Sequence, residues 1–266
     1  MLFDFLRKSE SFQNHPDAAA FRLPNVGYTY EVGGVGLLRT TLDISTQDKR
    51  VAVIGLNGSG KTTLLKLLDG ALAPAEGVQI TVGDETLNTS SKRDLKRVEQ
   101  LVGRVRREEI PNAFYQAKDI SEALTAPLKK RKVAEGERNA IVGNLLAHFK
   151  LADSARRGAS ELDSEKRHLL AIAAALVFNP AAIVADEPTK GLDEVGSAHV
   201  AAALFSYDKQ VVFATHDTDL IRRPEYMIGR VLVLDEHQLV FDGSPDDAVA
   251  FYEDLIRRKA EAMRKR

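Results

Sequence analysis

The chain has 266 residues, of which 44% are hydrophobic and 28% charged, so it can form one large or two small domains with an ordinary apolar core. A formal net charge of −1 argues against a nucleic-acid-binding surface over the whole chain, and the absence of cysteine excludes disulfides and thiolate metal sites. The longest apolar run, residues 169–178, is too short for a bilayer span of about 20 residues, so we expect any membrane role to be peripheral or through a partner.

The first predicted elements are short strands. Tyr28, Tyr30 and Val32 alternate with polar or small residues, which predicts a strand with one buried face. Residues 51–54 form an apolar, β-branched run that predicts a buried strand. Residues 77–82 predict a third strand.

A glycine-rich loop lies between the predicted strand 51–54 and a helical run, residues 64–68, that ends at Gly70. The loop has the pattern G-x-x-x-x-G-K-T of a phosphate-binding loop, in the strand-to-helix context that this motif requires. Its glycines let backbone N–H groups surround a phosphate, and the helix N-terminus adds a partial positive charge. The residues expected to contact a nucleotide are Asn57, Gly58, Ser59, Gly60, Lys61, Thr62 and Thr63.

Two side chains of this loop have the functional groups that phosphate chemistry needs. Lys61 can reach the β- and γ-phosphates of a nucleotide, and Thr62 can supply a hydroxyl group to Mg²⁺. We therefore predict that Lys61 is a catalytic residue and that Thr62 is a metal ligand.

The segment 90–165 has a different character, with basic and apolar residues mixed at helical spacing. Ile141, Leu145 and Phe149 fall on one helix face, and Pro127 is expected to interrupt the region. This pattern predicts a helical insertion between two parts of a parallel-sheet core.

Three apolar runs follow, residues 182–185, 211–215 and 231–235, and they are typical of buried parallel strands joined by helices. Residues 239–243 predict a hairpin strand before a C-terminal helix.

Charged and polar residues stand at the ends of two of these strands. Asp186 can hold Mg²⁺ through water, and Glu187 can polarise the attacking water of an in-line displacement. His216 follows the next predicted strand, and the carboxyl ends of parallel strands form the ligand-binding edge of such a sheet. We expect His216 to donate a hydrogen bond to the γ-phosphate.

These motifs, in this order, resemble the ATP-binding subunits of ATP-binding-cassette (ABC) transporters over about residues 23–253. The matching runs are residues 57–63, 186–189 (Asp-Glu-Pro-Thr), 191–193 (Gly-Leu-Asp) and 215–217 (Thr-His-Asp). The resemblance implies an α/β fold of the P-loop NTPase (RecA-like) class. Its mostly parallel sheet would have flanking helices, an N-terminal antiparallel β subdomain and an inserted helical subdomain.

The resemblance also implies a single ABC ATPase domain over residues 1–266. Its expected parts are a β subdomain with the phosphate-loop core (1–89), the helical subdomain (90–165), the remainder of the core (166–253) and a C-terminal helical tail (254–266).

Further roles follow from the same resemblance. Tyr30 would stack on adenine, Asp193 would lie in a loop that communicates across a dimer, and His216 would sense the γ-phosphate. The ligands would be ATP and Mg²⁺, and the reaction would be ATP hydrolysis coupled to transport. Residues 239–250 look most like the ATPases of energy-coupling-factor importers for vitamins and transition metals. Such a chain would sit peripherally on the cytoplasmic face of the cell membrane. Its partners would be integral membrane transport subunits and a second ATPase subunit, with no nucleic acid.

One family motif is altered. The family has Leu-Ser-Gly-Gly-Gln where this chain has Leu-Asp-Ser-Glu-Lys, residues 162–166, and the family's serine and glycines reach the γ-phosphate held by the opposite subunit. If Asp163 and Glu165 faced that phosphate, like charges about 4 Å apart would repel by roughly 4 kcal/mol at an effective dielectric constant near 20. The alternative is that both acids stabilise the start of the following helix, with Asp163 as its N-cap.

A second motif is altered at Arg107, where the family has a glutamine that contacts Mg²⁺ and couples to the membrane partner. Arginine has no acceptor atom and cannot ligate Mg²⁺, but it can pair with the γ-phosphate.

Several interpretations stay open at this point. The chain can pair with a second ATPase that has the usual signature, or form a homodimer with slow turnover. The importer ATPase competes with an ATP-binding regulatory subunit that hydrolyses little, and with a soluble ABC protein that does not transport.

Overall fold

Two β-sheets with helices around them make up the described part of the chain, residues 16–106, 111–206 and 208–264 of a computed structural model. The strands are β1 Ala20–Thr29, β2 Val35–Ile44, β3 Arg50–Gly55, β4 Gln79–Val82, β5 Glu85–Asn88, β6 Val102–Val105, β7 Ala182–Asp186, β8 Gln210–Ala214, β9 Arg230–Asp235 and β10 Gln238–Gly243. The helices are α1 Lys61–Leu68, α2 Lys92–Leu101, α3 Asn112–Gln116, α4 Ile120–Lys130, α5 Glu135–His148, α6 Ser164–Leu176, α7 Glu194–Phe205, α8 Thr218–Arg222 and α9 Pro245–Arg264.

The larger sheet has the strand order β10-β9-β3-β8-β7-β6. β10 is antiparallel to β9, and all other neighbours in this sheet are parallel. The central strands β3, β7 and β8 are buried along their whole length, which explains why they are continuous apolar runs in the sequence. The predicted α/β class with a mostly parallel sheet is confirmed.

Side chains of β3 alternate between two apolar clusters on opposite faces of the larger sheet. Val51 and Val53 pack into the cluster that contains α1 and the smaller sheet, whereas Ala52 and Ile54 pack into the cluster that contains α4, α5 and α6. The strand that leads into the phosphate loop is therefore held from both sides, which gives the loop a rigid base.

The smaller sheet is antiparallel, with the order β2-β1-β4-β5, and confirms the predicted N-terminal antiparallel sheet. The strand predicted over residues 28–32 is wrong in its position, because β1 ends at Thr29. The next residues form a turn, in which the Tyr30 N–H donates to the Gly34 carbonyl at 2.9 Å. Val32 lies in this turn with 96% of its surface exposed, so its alternation with the two tyrosines does not reflect a strand.

The segment 90–165 is not helical throughout, contrary to the prediction. After α2 the chain passes directly into β6, which pairs in parallel with β7 at the edge of the larger sheet. The sequence hides this strand because no turn residue separates Leu101 from Val102. The predicted helix face is confirmed further on, since Ile141, Leu145 and Phe149 are all buried.

Pro127 does not interrupt its helix, which is a second correction. It lies inside α4, which continues to Lys130. A proline removes one N–H donor, and in the last turn of a helix this loss leaves the preceding hydrogen bonds intact.

The C-terminal segment is a hairpin followed by a long helix, as predicted. β10 pairs with β9, and α9 packs Ala248, Val249 and Tyr252 onto the core. Phe251 and Leu255 also pack against the core, and most of the other residues of α9 are charged. Within the described ranges, no helix combines the length and the apolar character that a bilayer crossing needs.

Candidate nucleotide-binding site

A cleft of about 490 Å³ opens where β3, β7 and β8 end. The carboxyl ends of parallel strands are the usual ligand-binding edge of such a sheet. Segments that are distant in the sequence meet in this cleft. Its lining residues are Tyr30, Val35, Gly36, Asn57, Gly58, Ser59, Gly60, Lys61, Thr62, Thr63, Glu187, Lys190, His216 and His237.

The backbone of the phosphate loop depends on glycine at two points. Gly58 has a φ of 80° and Gly60 a φ of 104°, a region that residues with a Cβ rarely adopt. A Cβ on Gly60 would also lie 2.8 Å from the carbonyl oxygen of Gly36. Because α1 begins at Lys61, directly after Gly60, its first-turn N–H groups form a helix N-terminus suited to an anion.

Lys61 is buried at the start of α1, with 7% of its surface exposed. Its Nζ donates hydrogen bonds to the carbonyl oxygens of Gly55 at 2.8 Å and Leu56 at 3.1 Å. Burial lowers the pKa of the Lys61 ammonium, although the nearby carboxylates of Glu187 and Asp186 oppose this shift. The loop therefore holds a cation that gains from an additional negative charge in the cleft.

Asp186 ends β7 behind the phosphate loop and is 5% exposed. The Thr62 hydroxyl donates to its Oδ2 at 2.8 Å. Its other oxygen, Oδ1, is buried and has no hydrogen-bond partner within the described ranges. A buried carboxylate oxygen in this situation is costly unless it meets a cation or a bound water, so Thr62 and Asp186 fit a Mg²⁺ ion.

Glu187 and His216 meet at the ends of β7 and β8. The Nε2 atom of His216 lies 2.9 Å from Oε1 of Glu187, and Glu187 is 7% exposed. Glu187 has a φ of 51°, and its N–H donates to the carbonyl oxygen of Ala214 at 3.1 Å. A non-glycine residue in this conformation is strained, and such strain concentrates at functional sites.

Tyr30 lines the cleft directly after β1 of the smaller sheet. Its hydroxyl is 2.9 Å from the Thr63 hydroxyl, and its ring packs edge-on against Tyr28 at 5.1 Å between centroids. A Cβ on Gly36 would lie 2.7 Å from the Tyr30 ring, so glycine is needed there.

Sequence reasoning missed four lining residues, Val35, Gly36, Lys190 and His237. Lys190 lies between the matching runs 186–189 and 191–193, and neither run includes it. His237 lies in the turn between β9 and β10, where its N–H donates to the Ser59 carbonyl at 3.1 Å. No local pattern marks Gly36 or His237, because only the folded chain brings them to the phosphate loop.

Comparison with known proteins decides the family. The chain matches the family described as ABC transporter over residues 39–190, more than half of its length. It belongs to the ABC transporter family.

Relatives support the same assignment along most of the chain. The biotin transport ATP-binding protein BioM of Rhizobium etli is 32% identical over 80% of this chain and 90% of its own length. The energy-coupling factor transporter ATP-binding protein EcfA1 of Enterococcus faecalis is 29% identical over 88% of this chain and 82% of its own length. This ABC chain is thus an ATP-binding subunit of a transporter and an ATPase.

A solved structure has the same fold. CbiO1 from Clostridium perfringens, described as part of the ABC transporter complex cbiONQ, superposes with a TM-score of 0.73. The alignment covers 90% of this chain and 93% of that chain, at 24% sequence identity. This likeness shows the ABC ATPase fold.

Asp193 does not lie in the phosphate-loop cleft of this ABC chain. Its carboxylate accepts a hydrogen bond from the Gly196 N–H at 2.8 Å and caps the N-terminus of α7. It lines a second cleft, of about 430 Å³, together with Asp163 and Glu165. The structure therefore separates Asp193 from the other predicted contacts and places it beside the altered signature.

The altered signature forms the start of α6. Asp163 is the N-cap, and its Oδ1 accepts from the Lys166 N–H at 2.8 Å. Glu165 lies in the first turn of α6, with Oε1 3.2 Å from Nδ1 of His199 on α7. Of the two alternatives for these acids, capping is confirmed for Asp163. Arg107, the second altered position, lies outside the described residues.

Proposed function

We propose that this chain drives an importer of the energy-coupling-factor type for a vitamin or a transition metal. The similarity to BioM and EcfA1 over at least 80% of the chain is the observation that carries this proposal. The fold of CbiO1 is consistent with it. In this proposal ATP binding closes a pair of ATPase subunits, hydrolysis reopens it, and the movement passes to a membrane protein.

The proposed roles in the cleft follow from its geometry. Lys61 and the loop N–H groups bind the β- and γ-phosphates, and Tyr30 stacks on the adenine. Thr62 and Asp186 hold Mg²⁺, which neutralises charge on the phosphates when bound. Asp193, in the second cleft, is proposed to contact the opposite subunit.

Glu187 is proposed to accept the proton of the attacking water, and His216 is proposed to contact the terminal phosphate. The Glu187 carboxylate, fixed at the end of β7, accepts a proton from the attacking water and so orients it for in-line displacement. His216, at 2.9 Å from that carboxylate, orients Glu187 and donates to the γ-phosphate. Both groups stand at strand ends, where the sheet holds them at fixed separations.

The proposed partners are integral membrane transport subunits and a second ATPase subunit, with this chain peripheral on the cytoplasmic face of the membrane. The start of α6 supports a partner that differs from this chain. Asp163 accepts a hydrogen bond from the Lys166 N–H in the first turn of α6, and Glu165 adds a second negative charge beside it. A phosphate from an opposite subunit would meet acids at this place, so a mixed pair is favoured over a homodimer.

The same observation favours a second candidate function, an ATP-binding regulatory subunit with little hydrolysis. If ATP held by the opposite subunit meets the acidic start of α6, it binds less tightly between the two subunits. The contact between Glu187 and His216 opposes this candidate, because a subunit that only binds ATP needs no water-activating carboxylate.

Purification of the tagged chain from its native membrane tests the proposal. We expect stoichiometric integral membrane subunits and a second ATPase with an intact Leu-Ser-Gly-Gly-Gln motif, identified by mass spectrometry after a high-salt wash. The same tag on an unrelated peripheral protein is the control. Recovery of ribosomal or DNA-repair proteins without any membrane subunit would contradict the proposal.

A further inference from the structure

Lys190 is a cation in the phosphate-loop cleft that the roles above do not use. It lies in the turn after β7, where its N–H donates to the Glu187 carbonyl at 3.1 Å. Its side chain is half-buried and lines the cleft together with Lys61, Glu187 and His216. The turn therefore places a second lysine at the end of the cleft where Glu187 and His216 meet.

The charge of Lys190 is not matched by a specific partner. Its ammonium has neither an ion pair nor a hydrogen bond to any residue in the described ranges. It is close enough to Lys61 for the two positive charges to repel, which contributes to the lowered pKa of Lys61. Two neighbouring ammonium groups favour a ligand with several negative charges, because such a ligand relieves their repulsion.

We propose that Lys190 binds the terminal phosphate of ATP as a second cation from the same chain. The inference rests on the binding of ATP in this cleft. Lys61, at the start of α1, covers the β- and γ-phosphates, and Lys190 approaches from the turn after β7, next to the Glu187–His216 pair. Only the γ-phosphate extends toward that pair, so Lys190 distinguishes ATP from ADP. Lysine suits this role because its flexible stem presents a point charge to phosphate.

Binding of an ATP analogue that cannot be hydrolysed, compared with binding of ADP, tests the inference in the full chain with Mg²⁺ present. We expect Lys190→Ala to weaken binding of the ATP analogue about tenfold and ADP binding less than about twofold, as the loss of one charged hydrogen bond predicts. Lys190→Arg should retain most of the affinity for the analogue. Lys96→Ala, which removes an exposed lysine on α2, is the control for net charge.

Retained ADP binding also shows that each variant is folded, so a selective loss of analogue binding supports the inference. Equal weakening for both nucleotides, or no change for either, would overturn it. If the unaltered chain binds neither nucleotide, the assignment of the nucleotide site fails together with this inference, and that result differs from a failure of Lys190 alone.

Discussion

In the proposed site, the burial of Lys61 couples ATP binding to protonation of its ammonium group. The pKa of the Lys61 ammonium in the free protein is below its ordinary value of 10.5, because desolvation disfavours the charged form. The phosphates of ATP favour the charged form, so they raise this pKa when ATP binds. Above the lowered pKa of the free protein, ATP binding therefore requires the uptake of a proton, and the affinity for ATP decreases as the pH rises.

The first prediction concerns this residue. The affinity for ATP, measured by calorimetry from pH 7 to pH 10, should begin to fall at a pH below the ordinary lysine value of 10.5. Lys61→Arg is the matched variant, because an arginine stays charged over the whole range. The affinity of Lys61→Arg for ATP should be lower than that of the unaltered chain at pH 7, but it should not decrease further as the pH rises to 10. An equal alkaline decrease in both proteins would contradict a role for Lys61 protonation.

The site residues that sequence predicted are those at strand ends and in the glycine loop, such as Lys61, Asp186 and Glu187. Their local context places them, because a strand followed by a loop brings them to one edge of a parallel sheet. Lys190 and His237 could not be predicted with the same method. Their positions depend on how the turn after β7 and the β9–β10 hairpin pack against the phosphate loop.

Among the secondary-structure elements, α6 shows that a residue of the altered signature can stabilise the start of a helix. Asp163 caps α6, and the partly exposed Lys166 side chain is 3.7 Å from the same exposed carboxylate. The N-cap hydrogen bond is the larger contribution, because an exposed ion pair adds little to stability.

The second prediction concerns this cap. Asp163→Ala should lower the free energy of unfolding by about 1 kcal/mol, measured by urea denaturation, since the Lys166 N–H loses its acceptor. Asp163→Ser should retain most of the stability, because serine caps helices nearly as well as aspartate. If the serine and alanine variants lose the same amount of stability, the cap does not contribute as described.

Element prediction from sequence failed where the signals were short or merged. β6 has four residues and follows α2 without a turn, so its residues read as part of a helical segment. Tyr30 and Val32 continued the alternation of β1 into a turn. The long apolar runs of β3, β7 and β8 were predicted well, since full burial leaves few polar residues to confuse the pattern.

Over the whole molecule, the larger sheet separates two apolar clusters and presents one edge to the phosphate-loop cleft. Strands β3, β7 and β8 each lead into a segment of the proposed site: the phosphate loop, the Asp186–Glu187 pair and His216. Because parallel strands share a direction, these three segments meet at the same edge without further loops to guide them. The sheet therefore fixes the distances on which the proposed hydrolysis depends.

The central claim is that Glu187 of this chain activates water for ATP hydrolysis within a membrane assembly. The most direct measurement is the ATP turnover of the purified assembly, compared between the unaltered chain and Glu187→Gln. Glu253→Gln, on the exposed face of α9, is the control variant. We predict that Glu187→Gln lowers turnover at least about 100-fold while ATP binding persists, and that the control has full turnover. Unchanged turnover in Glu187→Gln would contradict the claim.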